Sequence, residues 1–233
     1  MNLKKHIPNT ITCCNLLSGC VAAVYAFEGA YPIAFACIIM GAVFDFFDGL
    51  SARALKVSSP IGKELDSLAD VITFGLAPAT MVFSWLRECA DAHLDMLAAF
   101  AMPFVAFLLV AFSALRLAKF NVDERQTTSF IGLPTPANAL FWGALVIGSH
   151  DTIVAAPYGW LLVLALVLLF SWLLVAEIPM FSLKFKNLSW KSNRIVYIFL
   201  LVSLVLLALL GFTGLSAVIG WYIILSVLTQ KRA

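Results

Sequence analysis

Apolar residues in this chain run in long blocks rich in leucine, alanine and phenylalanine, with only short polar interruptions from end to end. A helix needs about 20 consecutive apolar residues to cross a bilayer. Blocks of that order recur at 10–28, 31–56, 63–86, 95–119, 134–150, 157–176, 193–211 and 213–230. None alternates with the period of two that a membrane barrel strand requires. A bilayer interior leaves no backbone group unpaired, so helices are the remaining spanning element. The pattern predicts an all-α polytopic membrane protein with about eight transmembrane helices in a single domain over 1–233. The fifth block is the least secure, because it is short and opens on Leu133-Pro134-Thr135-Pro136.

Composition agrees with this reading. The chain is 62% hydrophobic and 12% charged, against roughly 45–50% and about 25% in soluble domains, so no separate soluble domain is expected. With eight spans both termini fall on one side. The N-terminus (Lys4, Lys5), the second connection (Arg53, Lys56, Lys63), the fourth (Arg116, Lys119, Arg125), the sixth (Lys184, Lys186, Lys191, Arg194) and the C-terminus (Lys231, Arg232) then share that side, and only Arg87 lies opposite. By the positive-inside rule that side is the cytoplasm, which predicts a multi-pass protein of the cell (inner) membrane with both termini cytoplasmic. The N-terminal stretch shows no small-residue cleavage pattern and is expected to be retained. Cys13, Cys14, Cys20, Cys37 and Cys89 show no paired CxxC spacing and read as small packing residues. No nucleic-acid partner is expected.

Ionisable groups near membrane depth call for a function or a partner. The second block ends on Asp45 and Asp48, three apart, and the third begins with Asp66 and Asp70, four apart. Each pair falls on one helix face, so two consecutive antiparallel helices gather four carboxylates near their cytoplasmic ends. Carboxylates this close repel one another, and a bound cation removes the conflict. Oxygen-only ligands suit Mg²⁺, Mn²⁺ or Ca²⁺ rather than zinc or copper. Magnesium usually keeps substrate phosphate oxygens among its ligands, which points to a phosphate-bearing substrate; the cluster has room for one ion or two, and two would clamp a displacement at phosphorus. Gly49 and Ala52 leave space beside the acids, and Arg53 adds a guanidinium fork for phosphate.

Taken together, Asp45-x₂-Asp48-Gly49-x₂-Ala52-Arg53-x₈-Gly62-x₃-Asp66-x₃-Asp70 resembles, at every fixed position, the signature of the CDP-alcohol phosphatidyltransferase family. The resemblance implies that an acceptor hydroxyl attacks the β-phosphorus of CDP-diacylglycerol and CMP leaves. It implies that Asp45, Asp48 and Asp66 ligate divalent metal, Mg²⁺ or Mn²⁺, that Asp70 completes the metal site and acts as general base, and that Gly49, Ala52 and Gly62 accommodate the cytidine nucleotide. A homodimer is implied as well.

Outside the signature, Ile7-Pro8-Asn9-x₂-Thr12-x₂-Asn15-Leu16-x₂-Gly19, Asp66-Ser67-Leu68-x-Asp70-x₂-Thr73-Phe74-Gly75-x-Ala77-Pro78, and Arg116-Leu117-Ala118-Lys119-Phe120-Asn121 with Phe130-x-Gly132-Leu133-Pro134-x-Pro136-Ala137 resemble the membrane-embedded type of phosphatidylserine synthase, over about 5–140. Thr73 and Lys119 stand where serine and arginine are expected. L-Serine is then the expected acceptor, met by Arg116, Asn121 and Thr73. Asn9 and Arg53, with Asp48, Gly49, Ala52, Gly62 and Asp66, are expected to bind the CDP-lipid. The catalytic helices lie within about 1–140, and 141–233 reads as scaffold, with Glu177 a helix-end acid before Pro179. Phe181-Ser182-Leu183-Lys184-Phe185-Lys186 alternates apolar and basic, as an interfacial segment facing anionic membrane lipids does. Two other readings compete: glycerol 3-phosphate or inositol phosphate as acceptor, which needs a more basic pocket, and an ion-coupled transporter, which favours internal repeats that are not seen here.

Overall fold

The computed structural model describes residues 6–123, 130–181 and 190–229. The expected basic residues Lys4, Lys5, Arg125, Lys184, Lys186, Lys231 and Arg232, and the interfacial stretch after Phe181, lie outside them. The described residues are almost wholly helical: α1 (His6–Phe27), α2 (Tyr31–Leu55), α3 (Pro60–His93), α4 (Met96–Val122), α5 (Thr135–Ala155), α6 (Gly159–Val175) and α7 (Trp190–Thr229). Two short strands, β1 (Phe130–Ile131) and β2 (Pro179–Met180), pair antiparallel with Phe130 opposite Met180. Five segments, α1 to α4 and 193–229, are long and apolar enough to cross a membrane; α6 is a shorter apolar helix.

The last segment is not one rod. Gly211 sits at φ 57°, ψ −128°, outside helical geometry. A β-carbon on Gly214 would lie 2.6 Å from the Leu206 carbonyl oxygen, and the Phe199 and Tyr222 rings are 6.0 Å apart. In a continuous helix those rings would be separated by about 35 Å at 1.5 Å per residue. The chain therefore folds back at Gly211, and α7 is a hairpin of two arms, 190–210 and 212–229, matching the break expected between 193–211 and 213–230.

Lipid tails are as apolar as leucine, so helices in a membrane associate through close packing and polar contacts rather than by escaping water. The sequence supplies small residues for this. The buried face of α1 carries Gly19, Ala22, Ala23 and Ala26, and that of α2 carries Ala34 and Gly41. The two helices form the most extensive pair in the described structure. Larger side chains fill the centre, where Trp85 of α3 and Trp142 of α5 are fully buried and Phe141 stacks on Phe170 of α6 at 3.9 Å.

Regular winding also breaks inside α3 and α4. In α4 a 3₁₀ turn runs over Met102–Phe107, where Pro103 removes one backbone donor. In α3 a π-turn covers Val71–Leu76, directly after Asp70. Such turns are uncommon and appear most often at functional sites.

At the end of α2 distant from Asp45, the Tyr31 hydroxyl donates to Glu88 Oε1 (2.5 Å), and His150 lies 2.9 Å from both Glu88 Oε2 and Asp151 Oδ1. The 14 to 17 residues from Tyr31 to Asp45 and Asp48 correspond to about 21–26 Å of helix. Polar side chains thus gather at two opposite ends of an apolar bundle.

The φ and ψ of Gly211 belong to a region that only glycine occupies without strain. Gly211→Ala is expected to destabilise the protein by about 1–3 kcal/mol, read as a lower unfolding midpoint in detergent. Gly220→Ala, at a helical position with nothing within 4 Å of an added β-carbon, is the control expected to leave the midpoint unchanged or slightly raised. Equal midpoints for both variants would contradict the hairpin.

Candidate active site

Asp45 and Asp48 project from the last turns of α2, and Asp66 from the first turns of α3. One carboxylate oxygen of each lies within 4.8 Å of the others. Asp45 and Asp66 come within hydrogen-bonding reach of each other, and Asp48 is only 6% exposed. Three carboxyl groups this close, two of them half-buried, are held together best by a shared cation. Their hard oxygen donors fit a divalent metal ion. Asp70 lies one turn further along α3 and outside this triad. It stands within electrostatic reach of Asp45, Asp48 and Asp66 and accepts a hydrogen bond from Asn15 Nδ2 at 3.3 Å.

Helix α1 orients these acids. The Thr12 hydroxyl donates to Asp48 Oδ2 at 2.6 Å and also lies 3.1 Å from the Pro8 carbonyl, so one proton serves two acceptors and the shorter contact fixes the carboxylate. Asn15 is fully buried. Its amide meets Asp70, and its backbone carbonyl accepts the Thr73 hydroxyl at 2.9 Å. Thr73 lies in the π-turn, and added β-carbons on Gly19 and Gly41 would come within 2.4 Å of its side chain. Only glycines on both neighbouring helices let α1, α2 and α3 meet here. Thr12 and Asn15 received no site role from sequence reasoning. The available signal was polar or small residues at Pro8, Thr12, Asn15 and Gly19, which share one face of an otherwise apolar helix.

Beside the triad lies a cavity of about 210 Å³ whose lining includes Asn9, Asp48, Gly49, Ala52, Gly62 and Asp66. Six of the seven residues expected to bind the CDP-lipid therefore converge on one space. The seventh, Arg53, is exposed and folds back along α2, with Nη1 3.5 Å from where a β-carbon on Gly49 would stand. Gly62 lets α1 approach, since its added β-carbon would lie 3.1 Å from Asn9 Oδ1. The N-terminus of α3 also opens here: Ser59 caps it by accepting from the Gly62 amide at 3.0 Å, Pro60 follows, and Lys63 joins the lining. A helix start with a lysine in its first turn favours an anion.

The expected serine contacts are more dispersed. Thr73 is fully buried with its hydroxyl committed to Asn15 and lines neither this cavity nor the next. The structure places it at the helix junction lined by Gly19 and Gly41 rather than at either cavity. Asn121 ties the end of α4 to α3: its amide donates to Ser67 Oγ (2.8 Å), and its carbonyl accepts from Lys63 Nζ (2.9 Å). Arg116 is 6% exposed, passes over the Phe120 ring at 5.8 Å, lies within electrostatic reach of Asp70 and lines a second cavity of about 360 Å³ with Lys119, Asp123 and Glu177.

Comparison with known proteins follows the same lines. The family model for CDP-alcohol phosphatidyltransferases matches residues 5–183. The chain is 36% identical over 135 residues to the CDP-diacylglycerol–serine O-phosphatidyltransferase of Bacillus subtilis, covering 56% of this chain and 70% of that protein. It is 29% identical over 225 residues to the enzyme of that name from Helicobacter pylori, covering 95% and 89%. It is 34% identical over 134 residues to the one from Methanocaldococcus jannaschii, covering 58% and 57%. With its spaced aspartates gathered beside a glycine-lined cavity and the family match extending over most of its length, this chain belongs to the CDP-alcohol phosphatidyltransferase family.

Proposed function

We propose that the protein transfers the phosphatidyl group of CDP-diacylglycerol to the hydroxyl of L-serine, giving phosphatidylserine and CMP. The observation that carries this reading is the Asp45, Asp48 and Asp66 triad at the edge of the cavity lined by Asn9, Gly49, Ala52 and Gly62. The serine acceptor follows the activity named for the relatives. A divalent ion, Mg²⁺ or Mn²⁺, singly or as a pair, would be held by Asp45, Asp48 and Asp66, with Asp70 beside them, and would supply positive charge to the pyrophosphate. Asn9, Gly49, Ala52 and Gly62 give the nucleotide a close-fitting wall, while Arg53 and Lys63 meet phosphate oxygens. Asp70 takes the hydroxyl proton as the serine oxygen bonds to phosphorus and the bond from phosphorus to CMP breaks. Arg116 and Asn121 orient the amino acid, and Thr73 supports them from behind by holding the π-turn.

The second cavity favours serine over glycerol 3-phosphate or inositol phosphate. Arg116 and Lys119 are balanced there by Asp123 and Glu177, which suits a zwitterion better than a second phosphate. An ion pathway would spread its acids along the membrane normal, whereas these gather at one end. The reading includes eight membrane crossings, both termini and the active site at the cytoplasmic face of the cell membrane, and a homodimer, the last supported by the family alone.

Purified protein with CDP-diacylglycerol and Mg²⁺ or Mn²⁺ is expected to form phosphatidylserine when L-serine is offered and to stop when metal is chelated. Product only with glycerol 3-phosphate or an inositol phosphate would refute the acceptor. Asp66→Asn is expected to abolish turnover together with metal-dependent binding of CDP-lipid. Asp70→Asn is expected to leave that binding nearly intact and to slow the chemical step by about 10²–10⁴-fold; parallel loss of binding and rate would make Asp70 a ligand instead of a base. For topology, Asp91→Cys in a chain whose native cysteines are replaced is expected to react with an impermeant reagent in intact cells, and protection there would invert the orientation.

A further inference from the structure

The second cavity is bounded by the C-terminal turns of α4 and α6 and by Ile131 of β1. Arg116 reaches it from a buried position, and its Nε has no hydrogen-bond partner among the described residues. A buried donor left unmet is costly, and a guanidinium facing a cavity is matched most completely by a carboxylate. Glu177 lines the same cavity, and no ion pair joins it to Arg116 in the described structure. Glu177 follows the last turn of α6, whose lining residues Leu174, Val175 and Ala176 belong to a helix C-terminus, where the helix dipole favours a cation. One wall of the cavity therefore attracts an anion and another a cation, and Arg116 lies within electrostatic reach of Asp70.

We infer that Glu177, at the C-terminal end of α6, is the specificity-determining group that binds the ammonium of the acceptor amino acid, while Arg116 takes its carboxylate. The inference rests on the serine reading above and deepens it. Held at both charged ends, the amino acid turns its hydroxyl toward Asp70. Acceptors with a hydroxyl and a carboxylate but no ammonium leave Glu177 without a counter-charge, so they are rejected there.

The test uses the full-length enzyme in detergent with saturating CDP-diacylglycerol and metal, comparing L-serine with glycerate, which has the hydroxyl and carboxylate but no ammonium. Wild type is expected to prefer serine strongly. Glu177→Gln is expected to raise KM for serine by about tenfold or more, the range of a lost charged hydrogen bond, and to shrink the preference for serine over glycerate by a similar factor. Its kcat and its KM for CDP-diacylglycerol are expected to stay near wild type, and Glu177→Asp to recover part of the serine affinity. If Glu177→Gln leaves both KM for serine and the preference unchanged, or raises both substrates' KM alike, the inference fails while the serine reading stands. If wild type makes no product from serine at all, the reading beneath it fails first.

Discussion

Mutual repulsion of carboxylates held near membrane depth is the constraint on which the rest of this structure depends. Asp45, Asp48 and Asp66 bring oxygens within 4.8 Å of one another, in a setting where water cannot freely screen them. Such a cluster persists only where neighbouring groups fix each oxygen and a cation can be shared. The donors come from α1: Thr12 secures Asp48, and Asn15 secures Asp70. The first helix, otherwise apolar, is thereby committed to the site over the Pro8–Gly19 part of its buried face.

That commitment explains the packing around it. For Thr12 and Asn15 to reach the acids, α1 must lie close to α2 and to the middle of α3, and the residues at those contacts are small. Thr73 fills the space that Gly19 and Gly41 leave. Its hydroxyl holds the backbone of α1 at the point where α3 widens into a π-turn. The turn follows Asp70 directly, so the local winding of α3 and the position of the fourth carboxylate are set by one contact. Gly62 plays the corresponding part at the helix start, where it admits Asn9 beside the cavity of about 210 Å³ between α1, α2 and α3.

Polar groups elsewhere serve other ends. The Tyr31, Glu88 and His150 network at the far end of the bundle links α2, α3 and α5, at about 20 Å or more from the aspartates by helix rise. The second cavity, by contrast, gathers Arg116, Lys119, Asp123 and Glu177, with Arg116 within electrostatic reach of Asp70. The first arrangement satisfies its own polar groups and joins helices. The second brings charges of both signs to one cavity.

Much of this was legible in the sequence because the bilayer admits so few solutions. Long apolar blocks predicted the helices with ends within about seven residues of those observed, including the break at Gly211, since backbone pairing in lipid forces apolar segments to be helical. The three- and four-residue spacing of the aspartates predicted which faces they share, since helix periodicity fixes that locally. Spacing along a chain, however, does not reveal which side chain fills a gap between helices. Thr73 read as a substrate contact, and its buried hydroxyl is engaged by the Asn15 carbonyl. Thr12 and Asn15 read as part of a resemblance and proved to hold two of the four acids. Glu177 read as a helix-end acid and proved to share a cavity with Arg116, 61 residues away in the chain. The sequence by itself determined the helices and the acidic pairs, because those depend on local periodicity and on the solvent. Only the tertiary structure decided which polar groups support the acids and which face open space, because that depends on how closely glycine-bearing helices approach one another.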